Sequence, residues 1–95
     1  MEDKYISIGE LNQYIKSMFD ENFYLRKVFL RGEISNFKNH TRGHLYFTLK
    51  DDTPRISAVM FYSSAITLNF KPEDGMNVLV EGRISCYPTA GTYQI

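Results

Sequence analysis

The chain opens with one stretch of helical periodicity. Ser7 and Glu10 lie three residues apart at its start, so a hydroxyl and a carboxylate can cap the first free backbone amides. Apolar residues then recur at spacings of three and four, which places them on one side of a helix: Ile8, Leu11, Ile15 and Met18. The pattern predicts a helix over about residues 7–20. Its apolar stripe is expected to pack on the rest of the domain in preference to a partner.

From Val28 onward the period changes to that of β-strands. Apolar and polar residues alternate in four runs, and a fifth begins near Thr92: 28–37, 44–50, 55–61, 78–85 and 92–95. Polar loops with Gly, Pro, Asn and Asp separate the runs. Residues 63–68 fit one or two helical turns between the third and fourth strands.

This order of elements predicts a mainly β fold, a five-stranded Greek-key OB-fold barrel with an N-terminal amphipathic helix and a short helix between strands 3 and 4. Gly32 and Gly82 fall where barrel strands bend. The whole chain, residues 1–95, is expected to be one OB-fold nucleic-acid-binding domain, with the helix at about 7–20 and the barrel at about 27–95. A generic antiparallel α+β domain is the alternative.

Composition agrees with one intracellular domain. The chain has 95 residues, of which 43% are hydrophobic, enough for a core without metal or disulfide staples. Its one cysteine, Cys86, excludes an intrachain disulfide and suits a reducing cytosol. No apolar run reaches the roughly 18 residues of a membrane span, and the start with Glu2, Asp3 and Lys4 is unlike a signal peptide. We expect a cytoplasmic protein without a membrane partner.

The charge is balanced overall but uneven along the chain. Net charge is zero, yet residues 26–50 hold six basic side chains and one acid, Glu33. The chain also has seven Phe and seven Tyr. A basic stretch interleaved with aromatic rings favours a single-stranded nucleic acid, because rings stack on bases and cations neutralise phosphates. A solvated charged surface with core aromatics is the alternative.

The candidate surface is the outward face of the second and third strands with the loop before them. In an OB-fold this is where oligonucleotides bind. Lys38, Arg42 and Arg55 are expected to neutralise phosphates, while the aromatic side chains stack on bases. The full predicted set is Phe37, Lys38, His40, Arg42, His44, Tyr46, Arg55 and Phe61, with Arg83 and Tyr87 as outer members.

Catalytic signals are weak. His40 and His44 lie in a loop and a strand, and no second Cys or cluster of carboxylates completes a zinc or two-metal site. No glycine-rich phosphate loop precedes a helix. The residues therefore predict no catalytic group, no metal and no cofactor in this chain.

Several motifs in order resemble one enzyme family. They are Ile8-Gly-Glu-Leu-Asn12, Val28-Phe-Leu-Arg-Gly-Glu-Ile-Ser-Asn-Phe37, Gly43-His-Leu-Tyr-Phe-Thr-Leu-Lys-Asp51, Ala58-Val-Met-Phe61, Phe70-Lys-Pro-Glu-Asp-Gly75, Val80-Glu-Gly-Arg-Ile-Ser85 and Gly91-Thr-Tyr-Gln94. Together they cover essentially the whole chain and closely resemble the start of the large subunit of exodeoxyribonuclease VII.

The resemblance implies an N-terminal OB-type domain that binds single-stranded DNA for a bacterial exonuclease. That enzyme degrades single-stranded DNA to short oligonucleotides, and its large subunit assembles with several copies of a small helical subunit. The family's nuclease residues lie in a later domain, and its pattern continues beyond Ile95. The chain is therefore expected to be a piece of a longer protein that stops in or just after the fifth strand. The edge left uncovered there predicts a dimer or an exchanged strand.

Two other functions share this fold. A protein-interaction barrel would use Tyr46, Val59 and Phe61 to dock its own catalytic domain or a subunit. An anticodon-type domain would bind RNA, which it would have to distinguish through the 2′-hydroxyl, since stacking cannot do so.

Overall fold

The computed structural model describes residues 4–40 and 42–95. Outside this range lie residues 1–3, on which the absence of a signal peptide is predicted, and Thr41. The elements in chain order are helix α1 (Ile8–Glu21), a 3-10 turn (Tyr24–Arg26), strands β1 (Val28–Asn39), β2 (Leu45–Lys50) and β3 (Arg55–Met60), helix α2 (Tyr62–Ala65), and strands β4 (Asn77–Gly82), β5 (Ser85–Tyr87) and β6 (Thr92–Gln94).

Helix α1 begins where the capping pattern predicts. The backbone N–H of Glu10 donates to Ser7 Oγ at 3.0 Å, and the hydroxyl of Ser7 donates to Glu10 Oε1 at 3.4 Å. Two otherwise free polar groups of the first turn are thereby satisfied. The predicted helix is confirmed with a shift of one residue at each end.

The apolar stripe of α1 does not pack on the sheet, so that prediction is wrong. Ile8 is 78% exposed and Met18 is 55% exposed. The helix instead contacts the end of the sheet through the side adjacent to this stripe. The side-chain amide of Asn12 donates to the carbonyl of Pro88 at 2.9 Å, and the rings of Phe19 and Tyr93 lie 6.0 Å apart. This hydrogen bond and this ring pair set the orientation of the helix. The apolar stripe remains exposed to solvent.

The sheet has six strands in the order β4-β1-β2-β3-β6-β5. All neighbouring strands are antiparallel except β3 and β6, which pair in parallel through Ser57 and Gln94. The predicted five-stranded barrel is corrected in two respects. The predicted fourth strand is divided into β4 and β5, and among the described residues no ladder joins these two edge strands, so the sheet is open.

The division falls at Arg83 and Ile84. The backbone N–H of Ile84 donates to the carbonyl of Leu25 at 2.9 Å, so it bonds to the turn after α1 and not to a strand. The side chain of Ile84 is buried. A residue held by a partner outside the sheet interrupts the ladder, and β5 then continues beside β6.

The core is small and lies inside the curve of the sheet. Its centre is Ile34, Leu49 and Ala58, with seven partly buried side chains around it. Gly82 meets Ile95 closely, since a Cβ on Gly82 would lie 2.9 Å from Ile95 Cγ1. A mostly apolar pocket of about 550 Å³, open to solvent on one side, lies between β3, α2 and β4. Across residues 4–40 and 42–95 every helix is too short or too polar to span a membrane.

Candidate nucleic-acid interface

A bulge in β1 decides which side chains reach the interface. Ser35 pairs with Thr48, but the next pair is Lys38 with Tyr46, so β1 has one extra residue. Asn36 supplies it with a φ of 53°, a conformation that Asn tolerates better than most residues. The alternation is reversed beyond this point.

The reversal turns Phe37 inward. Its ring lies 6.4 Å from that of Phe47 and packs against the core of Ile34, Leu49 and Ala58. Its backbone N–H donates to Asp74 Oδ1 at 2.9 Å. The structure therefore corrects the placement of Phe37 among the surface rings. Lys38 takes the outward position and stays exposed.

Strands β2 and β3 hold the central residues of the predicted site. Tyr46 is directly opposite Val59, and Lys50 is directly opposite Arg55. Partners in an antiparallel ladder project from the same face, so these side chains share one surface. Arg55 and Phe61 stand at opposite ends of β3, about 20 Å apart along the strand. That length accommodates a few nucleotides in extended form.

Each exposed ring on this face lies beside a histidine. Tyr46 is 40% exposed, and its ring centroid is 5.2 Å from that of His40 in an edge-on arrangement. Phe61 is 57% exposed, and its ring is 5.4 Å from that of His44 with an interplanar angle of 90°. An edge-on contact covers at most one face of each larger ring, and the exposed remainder of the ring is available for base stacking.

The loop between β1 and β2 is short and closed by its own backbone. The N–H of His40 donates to the carbonyl of His44 at 2.9 Å, and the N–H of Gly43 donates to the carbonyl of His40 at 2.8 Å. Arg42 is exposed within this loop. The structure thus brings His40, Arg42 and His44 to one end of the interface, next to Tyr46.

Three of the basic side chains are available to an anion. Among the described residues, Lys38, Arg42 and Arg55 form no ion pair. Lys50, a basic residue outside the predicted site, lies opposite Arg55 and is 3.8 Å from Glu33 Oε2. Two like charges face each other there, and Glu33 offsets only one of them. The strand register places Lys50 directly opposite Arg55, and this pairing is the signal that could have identified Lys50 as a residue of the site.

Arg83 and Tyr87 lie away from this centre. Arg83 is in the link between β4 and β5, and Tyr87 ends β5. Strand β5 is separated from β3 by β6, so Tyr87 is two strands, or about 10 Å, from the edge of the face. Both side chains are exposed.

In the part of the chain that the structure describes, the interface has no candidate catalytic metal site. No group of three His, Cys, Asp or Glu side chains there is close enough to hold a metal ion. His44 Nδ1 accepts a hydrogen bond from the backbone N–H of Tyr62 at 2.9 Å, so this nitrogen is already occupied. The arrangement of rings and cations is suited to binding.

An OB-type strand order with a ring-bearing basic face defines a nucleic-acid-binding module, and comparison with known proteins agrees. A model of the OB-fold nucleic acid binding domain matches residues 6–95, and the chain belongs to this family. Over all 95 residues it is 54% identical to the exodeoxyribonuclease 7 large subunit of Bacillus cereus (strain B4264) and 56% identical to that of Geobacillus kaustophilus (strain HTA426). It is also 54% identical to the exodeoxyribonuclease 7 large subunit of Oceanobacillus iheyensis. The chain spans 21% of the length of each of these relatives.

Proposed function

We propose that this domain binds single-stranded DNA and presents it to the nuclease of an exodeoxyribonuclease VII large subunit. One observation carries the proposal. Two exposed rings, Tyr46 and Phe61, share a face with Lys38, Arg42 and Arg55, cations that form no ion pair among the described residues. The relatives, at 53–56% identity, are large subunits of that exonuclease.

The chemistry of the face suits single strands better than duplexes. A ring can stack only on a base whose face is free, and unpaired bases offer that face. Val59 between the rings and Thr48 beside them add contacts that do not depend on base identity. Stacking also explains why few charges suffice. The isolated domain is therefore expected to bind weakly and with little sequence preference.

Hydrolysis is assigned to another part of the enzyme. The chain corresponds to a fifth of its relatives' length, and its described residues bring together no metal-binding cluster. In this proposal the enzyme is an exonuclease that acts on single-stranded DNA. Its large subunit assembles with a small subunit through other regions. This domain binds the DNA substrate.

Chemical-shift mapping with a short oligothymidylate tests the proposal. The amides of β2, β3 and residues 38–44 are expected to shift, while those of α1 stay unchanged. Three neutralised phosphates give a slope of log K against log salt of about −2, so raising salt from 50 to 200 mM weakens binding about 15-fold. Shifts confined to α1, or affinity independent of salt, would contradict the proposal. An RNA oligonucleotide of equal length that binds more tightly would favour the anticodon-type alternative.

We further propose that the free sheet edges associate with a second copy of the chain. Among residues 4–40 and 42–95, β4 and β5 each pair on one side only, and unpaired backbone groups on an edge strand can form bonds with another strand. The sedimentation coefficient is expected to rise with protein concentration. The matched measurement on a chain with Leu79→Pro in β4 should show less association. A monomer at all concentrations would contradict this proposal.

A further inference from the structure

The start of α2 is held by the loop that precedes β2. Tyr62 is the first residue of this helix, and its backbone N–H donates to His44 Nδ1 at 2.9 Å. Such an N–H has no partner within its own helix. Phe61, in the capping position, has no side-chain oxygen with which to accept it. His44 therefore serves as the capping side chain from a distant part of the chain.

The same histidine supports the ring of Phe61. The two rings meet edge-on at 5.4 Å with an angle of 90°. Phe61 is 57% exposed, so burial alone does not fix its orientation. One imidazole thus holds the ring directly and also holds the backbone of the next residue.

Tyr62 completes the connection. A Cβ on Gly43 would overlap Tyr62 Cδ1, and Gly43 has a φ of +83°. Only glycine accommodates both the conformation and the close approach. The β1–β2 loop thus contacts the chain just after β3 through two pairs of residues. These are Gly43 and His44 of the loop, and Phe61 and Tyr62 after β3.

We infer that His44 is a positioning residue: it fixes the ring of Phe61 for stacking and acts on DNA through that ring. The inference rests on the proposed function. It also defines the tautomer of the imidazole. A backbone N–H can only donate, so Nδ1 is the acceptor and the ring N–H is at Nε2.

Three variants test this role: His44→Phe keeps an aromatic ring without the acceptor, His44→Asn keeps an acceptor near the position of Nδ1, and Phe61→Ala removes the ring. His44→Phe is expected to weaken oligothymidylate binding about three- to tenfold and to speed hydrogen exchange at the Tyr62 amide. His44→Asn should restore slow exchange at that amide and most of the affinity. In the Phe61→Ala background, His44→Phe should cause no further loss, because coupled residues are not additive.

The control is His40→Phe, the same exchange at the other histidine, which should leave the Tyr62 amide unchanged. Imidazole nitrogen shifts should show a proton on Nε2 of His44 and none on Nδ1. Equal losses from His44→Phe with and without Phe61 would overturn the inference and indicate direct contact with DNA. A proton on Nδ1 would overturn it without any reference to DNA. If the unchanged domain bound no oligonucleotide, the proposed function would fail and the role of His44 with it.

Discussion

Replacing Tyr46 and Phe61 together with Ala is expected to weaken binding of single-stranded DNA at least 30-fold. Each base stacked on an aromatic ring contributes about 1–3 kcal/mol, so two rings contribute about 2–6 kcal/mol. Both rings are exposed, so their removal leaves the core of Ile34, Leu49 and Ala58 untouched. Fluorescence anisotropy with a labelled oligothymidylate measures the loss.

The matched control removes one Tyr and one Phe elsewhere. Phe23 and Tyr24 are exposed, at the start of the 3-10 turn between α1 and β1, and neither lies on the sheet. Phe23→Ala with Tyr24→Ala is expected to change affinity less than about threefold. Far-ultraviolet circular dichroism establishes that both double variants remain folded. An equal loss in the two would show that the β2–β3 face has no special role, and retained binding by the Tyr46 and Phe61 variant would favour the protein-docking alternative.

Leu49→Ala is expected to lower the free energy of unfolding by about 2–5 kcal/mol. Leu49 is 3% exposed and packs with Ile34 and Ala58 at the centre of the core. Truncating a buried leucine removes apolar contacts and leaves a cavity that the surroundings fill only in part. Small domains have a total stability of about 5–15 kcal/mol, so the change is a large fraction of it. Urea denaturation followed by circular dichroism measures it.

Leu79→Ala is the control for this substitution. Leu79 is 80% exposed on β4, and the same truncation there is expected to change stability by less than about 0.5 kcal/mol. A loss below 1 kcal/mol for Leu49→Ala would mean that the interior rearranges to fill the space. The core residues Ile34, Leu49 and Ala58 also line the open pocket of about 550 Å³, so the comparison shows how firmly the interior is packed.

Local pattern was sufficient for most elements. The capping of α1 by Ser7, which accepts from the backbone N–H of Glu10, and the alternation in β2 and β3 depend on neighbours within a few residues, and both are as predicted. The break at Ile84 was not predictable in this way. It depends on a hydrogen bond to Leu25, nearly sixty positions earlier, that no periodicity records.

The candidate site shows the same division. The outward positions of Tyr46 and Arg55 follow directly from the period of two. Phe37 was assigned to the surface because strict alternation was assumed across Asn36, where the extra residue of the bulge reverses it. An Asn within an alternating run is a weak indication of such a bulge, since Asn adopts positive φ more readily than other residues. The pairing of each ring with a histidine needed the tertiary structure.

The strand order also bears on how the domain folds. β1, β2 and β3 are joined by short hairpins, and the proposed DNA-binding face lies on them. The pairing of β1 with β4 joins Glu33 to Asn77, more than 40 positions away. Closing so long a loop costs more conformational entropy than forming a hairpin, so we expect contacts between β1 and β4 to form late. We therefore expect the face to assemble first as a local meander, and the docking of β4 on the opposite side of β1 to limit the folding rate.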